Sequence, residues 1–411
     1  MNLPGYYYDA SKKRYFKTDS HRHKPVQSLL PLLSQPDGHA ESPASRLPSR
    51  NHRTAGPVTL RDFERARHEL LLGTFAARAV QVESREPECL FVDENITQIS
   101  AVPGRKELRL GGTAGSICFA SLKPPSQWAR ENLPSNVDPF RTEWLLGSTI
   151  SSLKLHGNRF LATSLGSPAK ALFAVAHDPA EDATTPVSEA SITFSPAKTS
   201  LWTGSLSPDI IALGCDDKVL VSRDPLRGPN EMDSIATGSA VFALEQHRSL
   251  LFAGLRSGKV NLIDMRSSQT AALKAKSSNH SPITSLRLVR EFELLVVGMK
   301  GDVEMLDTRF IQSQRPLMTL EGHINHYMRD LGCDIYNDEI LALAGQDAQV
   351  RLWSLRTGKQ EIGGQLGGLT QRQFEEPIKA LAFVDDPPSL WVSQLSALSR
   401  WEITASASTI G

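Results

Sequence analysis

The sequence predicts an all-β protein, a seven-bladed β-propeller preceded by one helix and a disordered basic tail. Three observations carry this reading. From about residue 88 the chain is written in short apolar runs separated by turn residues, the pattern of consecutive strands. The strands come in groups, and the groups repeat: "PITSLRLVREFELLVVGMKGDVEMLDTR" (282–309) shares its frame with "SAVFALEQHRSLLFAGLRSGKVNLIDMR" (239–266). The repeat length, finally, is that of a four-stranded propeller blade, roughly 42–54 residues between corresponding third-strand ends.

Each copy holds an alternating strand, a polar turn, a second strand ending at a Gly, a tight turn and a third strand. The same frame fits residues 323–356 and 377–403, and more loosely 98–120, 149–173 and 200–222. The third strands are expected at Phe119, Phe173, Val221, Ile263, Leu306, Trp353 and Trp401. Seven copies suit a closed ring, which removes exposed sheet edges. The last copy stops at its third strand, so another segment must supply the fourth. "ECLFVD", Glu88 to Asp93, precedes the first copy and is expected to close the ring by pairing near Leu90–Val92.

Ahead of the repeats, "TLRDFERARHELLLGTFAARAVQ" (59–81) reads as a helix. Thr59 and Asp62 have the spacing of a capping box, and Leu60, Phe63, Ala66 and Leu70 recur at three- and four-residue intervals. Residues 34–57, "SQPDGHAESPASRLPSRNHRTAGP", are rich in Pro, Ser, Gly and His and poor in large apolar side chains. Such a segment buries too little surface to offset its ordering entropy. Residues 1–57 as a whole carry nine Lys and Arg against four Asp and Glu, a disordered basic tail that suits either a solvated linker or a nuclear-localisation or interaction segment. The expected domains are therefore a tail over 1–57, a docking helix over 58–82, the propeller over 83–404 and a disordered end over 405–411.

The bulk numbers narrow the function. Formal net charge is zero over 411 residues, which argues against a global nucleic-acid-binding field. Cys89, Cys118, Cys215 and Cys333 lie far apart without CxxC or zinc-ligand spacing, as expected of reduced thiols in an intracellular protein. The N-terminus has no apolar signal core and no run is long enough to span a membrane, so a nuclear or cytoplasmic location is expected. "GLRSGKV" (254–260) is one residue short of a phosphate-binding loop and has Val260 at the magnesium-ligand position; it reads as a hairpin turn, as does "GGTAG" (111–115). No GxSxG or HExxH occurs. No catalytic residue, metal or cofactor is expected.

Two strand ends stand out. Asp264-Met265-Arg266 and Asp307-Thr308-Arg309 close successive copies, and Ser354-Leu355-Arg356 follows in the next. In extended chain, residues two apart emerge on the same side. The Asp is expected to fix the turn through backbone N–H groups, leaving the Arg free to project from one face. Arginine is enriched at interface hot spots.

The repeats resemble the WD-repeat β-propellers. The resemblance assigns His323, Asp347 and Trp353 to the hydrogen-bonded network of that family, with Ala344 where its Ser or Thr stands. The paired Asp-x-Arg ends are similar to those of the substrate receptors of cullin-4 RING ubiquitin ligases, in which they contact the damage-specific DNA-binding protein adaptor. Ile263 and Leu306 replace the preferred Trp, and Ser354 replaces Asp in the third copy. A second likeness lies in "LPGYYYDASKKRYFK" (3–17): Pro4, Gly5, Tyr6, Tyr7, Tyr8, Asp9, Arg14, Tyr15 and Phe16 match the N-terminal signature of the DDB- and cullin-4-associated factor four family. In such receptors a helix ahead of the propeller inserts into the adaptor, which implies a docking role for Phe63 and Leu70. What the resemblance implies is a non-catalytic receptor that binds the adaptor and presents a protein substrate for ubiquitination. The alternative is a general WD-repeat scaffold in another assembly, such as RNA processing or chromatin.

Overall fold

The computed structural model describes residues 6–9, 14–17, 67–68, 79–87, 90–91, 93–101, 107–121, 140–176, 188–196, 199–208, 210–227, 232–266, 269–276, 280–310, 315–361, 368–384 and 389–403. Within the N-terminal unit, Met1–Pro57, the aromatic motif forms a hairpin: β1 (Tyr6–Asp9) pairs antiparallel with β2 (Arg14–Lys17). Its register sets Tyr7 opposite Phe16 and Tyr8 opposite Tyr15. This part of the tail expected to be disordered is thus a hairpin.

The second unit, Val58–Gly411, holds seven four-stranded antiparallel sheets. Blade 1 is β4 (Ile96–Ala101), β5 (Glu107–Gly112), β6 (Ser116–Ser121) and β7 (Phe140–Leu145). Blade 2 is β8 (Ile150–His156), β9 (Arg159–Ser164), β10 (Lys170–Ala176) and β11 (Ser188–Phe194). Blade 3 runs from β12 (Thr203–Leu206) through β13 (Ile211–Gly214) and β14 (Lys218–Ser222) to β15 (Asp233–Ala236). Blade 4 is β16 (Val241–His247), β17 (Leu250–Leu255), β18 (Lys259–Asp264) and β19 (Gln269–Lys276). Blade 5 is β20 (Ile283–Val289), β21 (Glu293–Gly298), β22 (Val303–Asp307) and β23 (Met318–Thr319). Blade 6 is β24 (Cys333–Tyr336), β25 (Ile340–Ala344), β26 (Val350–Ser354) and β27 (Gln360–Glu361). Every expected third-strand residue, Phe119 through Trp401, lies in the third strand of its blade.

Blade 7 closes the ring, and it does so differently from expectation. Its first three strands are β28 (Leu381–Val384), β29 (Ser389–Gln394) and β30 (Ala397–Ile403); the fourth is β3 (Ala79–Arg85), paired with β30 from Ala79 opposite Ile403 to Arg85 opposite Leu398. The expected closing segment around Leu90–Val92 is a turn. Asp93 sits at φ 63, Glu94 N–H donates to Phe91 C=O, and Phe91 is 54% exposed, none of which suits a ladder. Val92 lies outside the described residues. The strand also shortens the expected helical segment, since residues 79–82 belong to the sheet; of that segment, Arg67 and His68 are helical and Phe63 and Leu70 lie outside the described residues.

The core is not one mass but a series of wedges between neighbouring sheets. Between blades 5 and 6, for example, Leu295, Val297 and Met305 pack on Leu341, Leu343 and the fully buried Trp353. Blades 7 and 1 meet through Ala380, Trp391 and Leu398 against Ile96, Leu108 and Leu110. A register shift just after the first residue recurs in the innermost strands β4, β8, β16 and β20. A bulge there increases local twist, which suits strands that converge on an axis.

Both glycine-rich stretches are strand-to-strand turns, as expected. Gly258 (φ 77) joins β17 to β18 and Gly115 (φ 95) joins β5 to β6. At Gly115 an added Cβ would stand 2.6 Å from Gly147 N, so no other residue fits.

Candidate functional site: a face of arginine clips

The turns after the third strands and after the first strands lie side by side. In blades 4, 5 and 6, Met265, Thr308 and Leu355 N–H donate to the carbonyls of Ser249, Phe292 and Glu339. Each Asp-x-Arg pair brackets one of these anchored residues, so Asp264, Arg266, Asp307, Arg309 and Arg356 share one face of the ring.

Asp264 Oδ1 accepts the backbone N–H of Arg266 at 3.0 Å, the turn-fixing role expected of it. The arginine, however, is not left free. Its Nε donates to Asp264 Oδ1 at 3.0 Å and its Nη2 to Oδ2 at 2.7 Å. Asp307 and Arg309 repeat the arrangement with bonds of 2.9, 3.0 and 2.7 Å. Each pair is a closed fork, geometry in which a guanidinium matches a carboxylate. The side-chain and backbone bonds from Arg266 hold the Asp264 carboxyl down at about 2. The arginines stay exposed, 73% for Arg266 and 56% for Arg309. The clip thus orients the arginine rather than releasing it.

Around Arg309 the surface is aromatic. Its guanidinium carbon lies 4.7 Å from the centre of the Phe292 ring and 5.7 Å from that of Phe310. Both rings are exposed, 42% and 66%. Neither was singled out in the sequence, because only the fold places the β20–β21 turn beside the β22 end.

Arg356 is built differently because Ser354 has no carboxylate. Ser354 Oγ accepts the N–H groups of Arg356 and Thr357, each at 3.2 Å, while the Arg356 guanidinium turns to Glu339. His68, from the helical turn ahead of the ring, completes the cluster: Nδ1 is 2.9 Å from Glu339 Oε2 and Nε2 is 2.7 Å from Ser354 Oγ. Burial alone would raise the Glu339 carboxyl, but the bonds from His68 and Arg356 outweigh it and hold it low. His68 is 1% exposed, so this turn is seated on the ring at the arginine face. Replacing His68 by Leu keeps the volume but strips a buried serine and a carboxylate of a partner. The expected cost is about 2 kcal/mol of stability, read from the shift of the urea midpoint.

The opposite ends of the blades hold the residues assigned to a WD-repeat network, and they do not form it. Asp347 pairs with Arg351, at 2.9 Å between Oδ1 and Nη1, rather than with His323. Trp353 Nε1 donates to Glu321 C=O at 2.9 Å. His323 stands edge-on to Trp353 with centroids 6.4 Å apart, and neither ring nitrogen has a partner among the described residues. Burial, with Arg351 nearby, pushes its pKa down to about 4, so the ring is neutral. Ala344, in the buried β25, supplies no hydroxyl to bridge them. Blade 5 keeps part of such a network in another pair, Ser281 Oγ donating to Asp302 Oδ1 at 2.7 Å.

The first strands line a central cavity of about 530 Å³. Its lining includes Lys154, Glu245, Arg287 and Asp334. No cluster of three or more His, Cys, Asp or Glu able to hold a metal occurs among the described residues.

Comparison with known proteins agrees with this architecture. The model of the DDB1- and CUL4-associated factor 4 beta-propeller domain matches residues 167–361. The chain is 28% identical to DDB1- and CUL4-associated factor 4 of Homo sapiens over 399 residues, 87% of this chain and 77% of the relative. The Bos taurus protein of that name is 26% identical over 398 residues, covering 87% and 78%. DDB1- and CUL4-associated factor 4-like protein 2 of Homo sapiens is 35% identical over 113 residues, 26% of this chain and 28% of the relative. Among solved structures the WD40 beta propeller domain of Doa1 matches with a TM-score of 0.56 at 11% identity, covering 79% of this chain and 97% of that one, a likeness of fold alone. The likeness to the DDB1- and CUL4-associated factor 4 proteins extends along 87% of the chain.

Proposed function

On this kinship with the DDB1- and CUL4-associated factor 4 proteins, we propose that the chain is a non-catalytic substrate receptor whose arginine face docks on DDB1, the adaptor of cullin-4 ligases. One observation carries the reading: the two clipped arginines and the His68 turn lie on the same face. A scaffold of unrelated function has no need to bring the segment ahead of the ring onto the surface where Arg266 and Arg309 project.

The clips suit that task physically. An arginine already held in one orientation loses little side-chain entropy on binding, and the fork engages only Nε and Nη2 of each. Phe292 and Phe310 add apolar area next to Arg309, the composition of an interface hot spot. The receptor's contribution to ubiquitination is then effective concentration: it holds a protein substrate near the ligase and makes transfer a proximity-driven step.

The test is reconstitution. Purified full-length chain mixed with DDB1 should elute as one stoichiometric complex in size exclusion. Separate elution at micromolar concentrations of both proteins would refute the adaptor role.

A further inference from the structure

The central channel carries a layer of charge that the receptor role does not use. Lys154, Glu245 and Arg287 are each the fifth residue of an innermost strand, β8, β16 and β20. Asp334 belongs to the same layer: its pairing partner Ala342 in β25 corresponds to Leu295, the partner of Arg287 in β21. The four charges therefore surround the axis at one height.

They are not equally engaged. Glu245 Oε1 accepts the backbone N–H of Leu288 in the next blade at 3.1 Å, and Asp334 Oδ2 accepts that of Phe383, also in the next blade, at 2.7 Å. These carboxylates cap the open inner edges of neighbouring sheets, a structural use. The cations have no such employment. Arg287 donates only to its neighbouring carbonyl, Leu286 C=O, at 3.2 Å, and Lys154 has no hydrogen-bond or ion-pair partner among the described residues. Two positions before Lys154, on the same side of the strand, Ser152 lines the cavity; it is 4% exposed and its Oγ also lacks a partner.

We propose that the channel binds a phosphate-bearing small molecule, with the oxyanion between the Lys154 ammonium and the Arg287 guanidinium and the Ser152 hydroxyl donating to it. Glu245 and Asp334 balance the two cations in charge but bond to the backbone of the next blades, so a phosphate monoester, a dianion at neutral pH, competes with them for the cations as a hydrogen-bond acceptor, and a cavity of about 530 Å³ holds a molecule of metabolite size. The buried Ser152 hydroxyl is costly without a partner unless a ligand or water satisfies it.

The electrostatics of the channel agree. Arg287 first, and burial second, depress Lys154 to about 8, against the opposing pull of Glu245, Asp334 and the Cys333 thiol that face it. Between pH 8 and the unfolded value near 10.5 the unfolded chain holds a proton that the folded chain has lost, so stability rises with pH in that window. The anion should bind more weakly as pH passes upward through 8.

The experiment is calorimetric titration and thermal melting of the full-length chain at matched ionic strength in chloride buffer. The probes are inorganic phosphate, glycerol 3-phosphate and a hexaglutamate peptide. Saturable binding of a phosphate probe that disappears in Lys154→Met and in Arg287→Met supports the site, and preference for the monoester over inorganic phosphate identifies a metabolite as its source. Lys154→Met should itself melt higher at pH 7 and lose the rise in stability above pH 8. Absence of phosphate binding in the wild type, binding that survives both substitutions, or equal binding of the peptide would overturn the proposal.

Discussion

Deleting residues 79–85 should abolish cooperative unfolding of the ring altogether. Blade 7 has no other fourth strand, and β3 contributes a ladder of six paired positions to β30. At about 1 kcal/mol net for each backbone bond, that ladder rivals the whole stability of an ordinary domain, about 5–15 kcal/mol. The loss also bares the edge of β30 to intermolecular pairing. A milder variant tests the same point without removing chain: Ala79, fully buried beside Trp401 and Leu390, replaced by Asp. An unpaired carboxylate there should cost about 3 kcal/mol or more. Phe91→Ser, in the turn expected from sequence to close the ring, should leave the melt within about 0.5 kcal/mol of wild type. Thermal melts and light scattering of the three variants decide it; a normal cooperative melt after deletion of 79–85 would show that β3 is dispensable.

Replacing Arg266 and Arg309 together by Ala should lower affinity for DDB1 by roughly a thousandfold, about thirtyfold for each hot-spot arginine. The melting temperature should hardly move, because both side chains are largely exposed and their pairs are local. The clip geometry extends the prediction to the acids. Asp264→Ala and Asp307→Ala should also weaken DDB1, since each removes the carboxylate that orients an arginine. Lys in place of either Arg should fail to restore binding, because an ammonium cannot make the two-point fork. Arg356→Ala should matter less, its guanidinium being engaged by Glu339 within the chain. Biolayer interferometry with immobilised DDB1 measures all of these. Undiminished binding by the double arginine variant would reduce the clips to blade punctuation.

How much of this was legible in the sequence follows from which contacts are local. A blade is a meander of strands adjacent in sequence, so alternation and turn residues placed every third strand, from Phe119 to Trp401. The Asp-x-Arg clip is local too, and only its closed form escaped, because two residues apart in sequence does not reveal whether a guanidinium points outward or folds back. Ring closure is non-local. "AVQVESR" alternates as a strand should, but it runs on from a helical pattern, and nothing local separates the two. The cluster of His68 with Glu339 and Ser354 joins residues 271 and 286 positions apart. The charged layer of the channel likewise needs the register of four blades to be known before Lys154 and Arg287 can be seen to face one space.

The pairing of β3 with β30 has a consequence in time. Ala79 meets Ile403 across roughly 320 intervening positions, so the contact that closes the ring has very high sequence separation and forms late. During synthesis the first six blades can assemble while β3 waits for its partner, which is made after them. His68 lies eleven positions before Ala79, so pairing of β3 holds it within reach of its seat on blade 6. A truncated or stalled chain would thus display its arginine clips while leaving the segment ahead of the ring unanchored. Only a chain translated through residue 403 would present the complete face, so under the proposed docking role DDB1 would select finished rings over unfinished ones.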